Sequence, residues 1–233
     1  MPESDRVHAE RVARMRAAAG GAGGPFALKR ELAAVLRELL AHLPTSALDD
    51  ARLRELLPVL RQAGERLAAA GRAPAGDPAA STYAGMEDFH DTGPIMGLSN
   101  AIAPPLEAHV DTEAGVVRAR ARFSNAYEGA PGLLHGGILA AAFDELLGLA
   151  TVFSGGAGMT RDLHVRFLRP TPIRSELVFT GRLDRTEGRR LFVSAEVEAD
   201  GQRTAEASGV FIAVGGEKFE QLAGARQARE GSN

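Results

Sequence analysis

The sequence predicts an α+β protein: an antiparallel sheet of about five strands curled around one buried central helix, with a helical extension ahead of it. Three observations carry that expectation. The amino-terminal part, up to about Gly71, is rich in Ala, Leu, Arg and Glu with leucines at helical spacing. Several later segments alternate apolar and polar residues with period two. One long apolar run lies between the first such segment and the rest.

From the amino end, Asp5 to Ala19 reads as a polar, weakly amphipathic helix, which Gly20-Gly21-Ala22-Gly23-Gly24-Pro25 interrupts. Phe26 to Leu43 places Leu28, Leu32, Val35, Leu36, Leu39 and Leu40 on one stripe and stops at His42-Leu43-Pro44. Ser46 or Asp49 is the expected cap of the next helix. There Leu53, Leu56, Leu57, Leu60 and Leu67 carry the pattern to Gly71, and Pro58 is expected to kink or split it. Both stripes are expected to be buried, against the sheet domain or a neighbouring subunit. Residues 72–81, rich in Pro, Ala and Gly, read as a linker. The expected division is therefore a helical extension and linker over 1–81, a folded domain over 82–216 and a tail over 217–233.

Val117, Ala119, Ala121 and Phe123 alternate with Arg118, Arg120 and Arg122, the pattern of a half-buried strand. Leu163, Val165 and Phe167 repeat it, as do Leu177, Phe179 and Leu183, then Leu191, Val193, Ala195 and Val197. Asp200-Gly201 marks a hairpin turn before a last strand from about Arg203 to Val214. The consecutive strands after Leu163 suggest hairpin links that need no crossovers. Between the first strand and the others, Leu133 to Thr151 holds a helix that is apolar on nearly every face from Ile138 to Ala150, apart from Asp144 and Glu145. It should be buried on most sides.

Composition removes several classes of function. The 233 residues carry 27 Lys plus Arg against 30 Asp plus Glu, and this net charge of -3 gives no reason to expect nucleic acid as partner. Two Tyr and no Trp leave little with which to stack bases. With no Cys there is no disulfide framework, thiolate nucleophile or Cys-ligated metal. The six His never reach a metal-binding spacing such as His-x-x-x-His, so no metal is expected. The glycines at 20–24 lack the Gly-Lys-Ser/Thr of a phosphate loop. No membrane span and no signal segment is apparent, so the expected location is cytoplasmic.

The segment that can carry chemistry is Gly129-Ala-Pro-Gly-Leu-Leu-His-Gly-Gly-Ile-Leu-Ala-Ala-Ala-Phe-Asp-Glu. The first N–H groups of a helix lack intrahelical acceptors, and at Gly136 and Gly137 no side chain keeps a ligand oxygen away from them. Such a turn can bind an anion or stabilise an oxyanion, or serve only as a tight lead into the helix. Asp144 sits in an apolar stretch where an unpartnered carboxylate is costly, which marks it as functional, whereas Glu145 reads as the solvent face of the helix. Gly137 and Asp144 are separated by roughly 10 Å along one helix. If they act on one carbonyl, two copies of the helix must run antiparallel across a two-fold axis, sharing two sites between two chains.

His135-Gly136-Gly137, Asp144, Met159-Thr160, Phe167-Leu168-Arg169-Pro170-Thr171-Pro172 and the hairpin Leu183 to Ser194 form an ordered series. Over about residues 90 to 214 it resembles the hotdog-fold acyl-CoA thioesterases of the PaaI-like type, the branch of thioesterase superfamily member 4. The resemblance implies a hotdog fold and hydrolysis of an acyl-CoA to a carboxylic acid and CoA, with water and no cofactor, by a homodimer or higher homo-oligomer. It implies Asp144 as general base or as nucleophile, the Gly136 amide polarising the carbonyl, His135 shaping that end of the site and Thr160 positioning water. It further implies Arg166, Arg189 and Arg190 as contacts for CoA phosphates. Relatives can carry lysine where this chain has Leu168. The segment Asp88 to Gly97, leading into Asn100 to Leu106, resembles the family's lead into the sheet, which lines or covers the acyl tunnel. Phe89, Ile95, Met96, Leu98, Phe143, Leu147 and Phe153 are its candidate walls. The adjacent His90 and Asp91 read as structural, since no Gly-x-Ser-x-Gly elbow accompanies them.

Two other classes compete. A non-catalytic acyl-CoA-binding hotdog module with a regulatory helical extension needs the pocket but not Asp144. A hydratase acting on enoyl-CoA needs an Asp/His acid–base pair that the helix and its preceding strand lack.

Overall fold

The computed structural model describes residues 27–71, 91–104, 106–111, 113–153 and 158–214. The helix expected over 5–19, the linker 72–81, the tail 217–233 and both expected domain boundaries lie outside them, as do Phe89, His90 and the side chain of Phe153.

Two helices come first. α1 (Ala27–His42) ends in a 3-10 turn over Leu43–Thr45, where Pro44 lacks the N–H that a continuing helix would use. α2 (Asp50–Ala69) is capped as expected by Asp49, whose carboxylate accepts the Arg52 N–H at 2.9 Å. Pro58 does not split it. The 20-residue helix runs through the proline, which forfeits one backbone bond while neighbouring Leu, Arg and Glu have high helix propensity. Neither apolar stripe is buried against the sheet domain: Leu28, Val35 and Leu39 on α1 and Leu56, Leu57 and Leu60 on α2 are exposed. α1 is held to the body by arginines instead, which is why its leucines face outward.

The body is a six-stranded antiparallel sheet: β1 (Glu107–Asp111), β2 (Val116–Ala121), β3 (Gly158–Phe167), β4 (Leu177–Glu187), β5 (Arg190–Ala199) and β6 (Gln202–Ala213). β1 adds a strand to the expected five. Its sequence, Glu-Ala-His-Val-Asp, buries no residue and so shows only a weak alternation. The spatial order is β1-β2-β4-β5-β6-β3, which corrects the expectation of hairpins without crossovers. β3 lies at the far edge against β6, and the chain returns across the sheet to place β4 beside β2. The β5–β6 hairpin has its Asp200 and Gly201 at φ 51° and 73°, the left-handed pair that a tight two-residue turn requires.

α3 (Gly136–Phe153) packs against the sheet, touching β2 through β6. Leu139, Phe143, Leu146, Leu147 and Ala150 of the helix meet Val117, Ala119, Phe179, Val193, Val197 and Phe211 of the strands, all buried. The rings of Phe143 and Phe179 meet edge to face with centroids 5.8 Å apart. Burying each such side chain contributes roughly 1.5–3 kcal/mol. Phe143 and Leu147 are thus core residues, not walls of an open channel, while Ile95 and Met96 pack against that core from its rim. Gly181 leaves room for Leu146, whose Cγ would lie 3.0 Å from any Cβ there.

Candidate functional site

The start of α3 is built by backbone bonds from three directions. The His135 N–H donates to the Tyr127 carbonyl at 3.0 Å, and the Leu134 N–H to the Thr171 carbonyl at 2.9 Å. The His135 carbonyl accepts from Ile138 at 3.0 Å and Leu139 at 3.1 Å, opening the helical ladder. The His135 side chain caps the helix itself, its Nδ1 accepting the Gly137 N–H at 3.0 Å. The Gly137 amide is therefore occupied in the chain, and the Gly136 N–H is the one without an acceptor among the described residues. The glycines here are steric requirements. A Cβ on Gly137 would lie 3.2 Å from the imidazole, and one on Gly129 would lie 2.9 Å from the His135 Cα.

Gly136 opens onto a cleft of about 660 Å³ lined by Gly129, Leu133, His135, Leu139, Phe167 and Arg169, among others. Phe167, half-exposed, sets its ring against Gly136, where a Cβ would lie 3.2 Å from Cζ. Arg169 belongs to the Phe167–Pro172 series of the sequence but carries no site role there. Its Nη1 donates to the Arg203 carbonyl at 3.0 Å, which holds the guanidinium at the cleft. Its place in Phe-Leu-Arg-Pro, directly after the strand that reaches Gly136, was the available signal.

Further along α3, Asp144 is half-buried on the helix face turned toward β3. Thr160 of β3 donates its hydroxyl to Asp144 Oδ1 at 2.8 Å, while Oδ2 has no hydrogen-bond partner among the described residues. Thr160 and Asp144 are brought together within one chain. Glu145 departs from its expected place on the solvent face, being half-buried. Burial pushes its carboxyl above the ordinary glutamate range, and the adjacent Asp144 charge adds to the shift. The physical reason is that the whole exterior side of α3 is only half-open, with Ala141, Asp144, Glu145 and Gly148 along it.

Gly136 and Asp144 lie eight residues apart on one continuous helix, which is about 12 Å along its axis. They do not converge within the chain. The three expected CoA-contacting arginines fall in two places, with Arg189 and Arg190 adjacent at the β4–β5 turn and Arg166 apart on β3. Arg166 stands opposite Glu206 of β6, ion-paired at 3.1 Å, while Arg190 stands opposite Ile212 at the other end of that strand. That spacing along β6 is about 20 Å. Arg189 folds back on the Ala213 carbonyl at 3.2 Å, beside the β3 end that carries Thr160. Asp91 is buried and bound to Arg30 and Ser99, the structural role expected of it.

Comparison with known proteins adds to this geometry. The sequence profile of the thioesterase superfamily matches residues 131–206, the stretch from the α3 turn to β6. Acyl-coenzyme A thioesterase THEM4 of Bos taurus is 45% identical over 93 residues, which are 39% of this chain and 38% of that protein. Acyl-coenzyme A thioesterase THEM5 of Homo sapiens is 37% identical over 87 residues, 36% of this chain and 35% of that protein. The chain thus spans well under half the length of these curated relatives. A crystal structure of a thioesterase superfamily protein is 30% identical with a TM-score of 0.71, covering 79% of this chain and 94% of that one.

Proposed function

Because the chain belongs to the thioesterase superfamily, we propose that it is an acyl-CoA thioesterase, releasing a carboxylic acid and free CoA at a site shared between two copies of the chain. The observation that carries this reading is the Asp144 carboxylate. One oxygen is fixed by Thr160 at 2.8 Å and the other is open, half-buried on a largely apolar helix. Such a carboxylate has the two uses the chemistry needs, as base toward water or as nucleophile toward the thioester carbon. The Gly136 N–H at the start of the helix, lacking an acceptor among the described residues, is suited to the carbonyl oxygen as negative charge develops there.

One helix cannot present both groups to one carbonyl. A two-fold axis that sets two α3 helices antiparallel places Gly136 of one protomer opposite Asp144 of its partner. The edge position of β3 supports this assembly. Among the described residues it pairs on one side only, with β6, and Met159 and Phe167 are exposed along it. In this reading Arg166, Arg169, Arg189 and Arg190 meet the phosphates and pantetheine of CoA from two protomers, and the reaction uses water without a cofactor.

The test is release of CoA thiol from short, medium, long and aromatic acyl-CoAs by the wild type and by Asp144→Ala. The chain contains no Cys, so all thiol detected is product. Turnover that falls about 100-fold or more in a folded variant is the expected result. Saturable acyl-CoA binding without turnover, unchanged by the substitution, points instead to a binding module.

A further inference from the structure

The Gly136 N–H is a useful hydrogen-bond donor to a reacting carbonyl only if its peptide plane is held still, and the contacts that hold it lead away from the site toward the amino-terminal helix. His135 is tied by its N–H to the Tyr127 carbonyl at 3.0 Å. Tyr127 closes the short 3-10 turn Asn125–Tyr127 and is itself held at three points. Its N–H donates to the Ser124 carbonyl at 3.1 Å, and its ring meets the buried Phe123 edge to face at 5.7 Å. Its hydroxyl donates to the Ile102 carbonyl at 2.9 Å. The loop that supplies this carbonyl is gripped in turn by α1, where Arg37 donates to the carbonyls of Leu98 at 3.1 Å and Asn100 at 2.9 Å. The Asn100 side chain braces the same loop, accepting the Ile102 N–H at 3.1 Å and donating to the Thr92 carbonyl at 3.1 Å. Burial raises the affinity of the Tyr127 hydroxyl for its proton while the nearby Arg37 charge opposes this, so the hydroxyl stays a donor at neutral pH.

Resting on the thioesterase reading for its catalytic consequence, we propose that Tyr127 is a positioning residue for the carbonyl-polarising turn, and that Arg37 of the helical extension acts on catalysis through it. The path is short and made of directed bonds: Arg37 to the 98–102 loop, that loop to the Tyr127 hydroxyl, and the Tyr127 carbonyl to the amide beside Gly136. The extension thereby gains a function that its own sequence, without a catalytic constellation, does not reveal. Misplacing an oxyanion donor by a fraction of an ångström costs turnover more than substrate affinity, because the charge it meets exists chiefly in the transition state.

The experiment compares full-length wild type, Tyr127→Phe, Arg37→Met and the double variant. Tyr127→Phe keeps the ring on Phe123 and deletes only the hydroxyl. Two readouts are taken: kcat and KM for thiol release, and the amide proton and nitrogen shifts of Gly136. Tyr127→Phe is expected to move the Gly136 resonance and lower kcat about 5–10-fold with KM little changed. Arg37→Met should act in the same direction, and the double variant should be no worse than Tyr127→Phe alone. An unmoved Gly136 resonance overturns the proposal, as does a lower melting temperature with unchanged kcat, or a double variant whose losses multiply. If the wild type hydrolyses no acyl-CoA, the thioesterase reading fails by itself. The Gly136 shifts in the single and double variants then decide whether the positioning path exists.

Discussion

At the residue scale, Thr160 and Glu145 give two separable predictions around Asp144. Thr160→Val removes the hydroxyl that fixes Oδ1 while keeping the β-branched shape of the strand residue. A hydrogen bond to an ionised group contributes about 1.5–3 kcal/mol to folding, so calorimetry should show the melting temperature falling by roughly 2–4 °C per kcal/mol lost, and kcat for thiol release should fall about 10-fold or more as the carboxylate loses its fixed orientation. Glu145 titrates above its ordinary range because the fold disfavours its charge. Its protonated form is the one the folded state favours, so its contribution is complete below the ordinary glutamate pKa. That contribution is lost as pH rises through the raised value. Glu145→Gln should therefore gain stability relative to wild type as pH rises from 4 toward neutrality, read from urea midpoints, and the difference should close at lower pH. His135 illustrates what residue-level reading missed: it was legible as part of the site, but its bond to the Gly137 amide, which leaves Gly136 alone available, depends on a side-chain rotamer.

At the scale of elements, the 91–103 loop shows how backbone proximity dictates residue choice. Gly97 packs so closely that a Cβ would lie 2.4 Å from the Gly93 carbonyl oxygen and 2.7 Å from that of Asp91. Gly97→Ala must push these backbones apart at a cost of about 1–3 kcal/mol, a loss of roughly 2–4 °C in melting temperature per kcal/mol. Because that loop carries the Tyr127 acceptor, its turnover should fall as well. The helices and strands with strong periodicity were legible. The Asp49 cap, the α3 helix and the alternation of Leu191, Val193, Ala195 and Val197 all appear where the sequence places them. β1 was not, because a strand that buries nothing leaves little pattern to read. The continuity of α2 through Pro58 was also missed, since the proline's penalty is offset by its neighbours.

At the scale of the whole molecule, the separation of Gly136 from Asp144 makes a genetic test possible. Proline at the first helical position removes the Gly136 N–H with least disturbance to the helix. Co-expressed Asp144→Ala and Gly136→Pro chains, each inactive alone, should recover about a quarter of wild-type thiol release if each site draws one group from each protomer. Sites confined to single chains recover nothing. Light scattering on the same sample should report at least a dimer. The exposed leucines of α1 and α2 belong to this scale too, since no described residue of the chain covers them.

Local physics makes several features readable from residues alone: which segments form helices and strands, which faces are apolar, and that a carboxylate and a glycine turn share one buried helix. Those features depend on neighbours within one or two turns of chain, and side-chain period and capping report them directly. The tertiary structure alone decided the strand order that sends β3 to the far edge, the meeting of Thr160 with Asp144, the place of Arg169 at the cleft, and the anchoring of α1 by Arg30 and Arg37. Each joins residues distant in sequence, and such a contact is selected by the packing of the whole core, which no local pattern encodes.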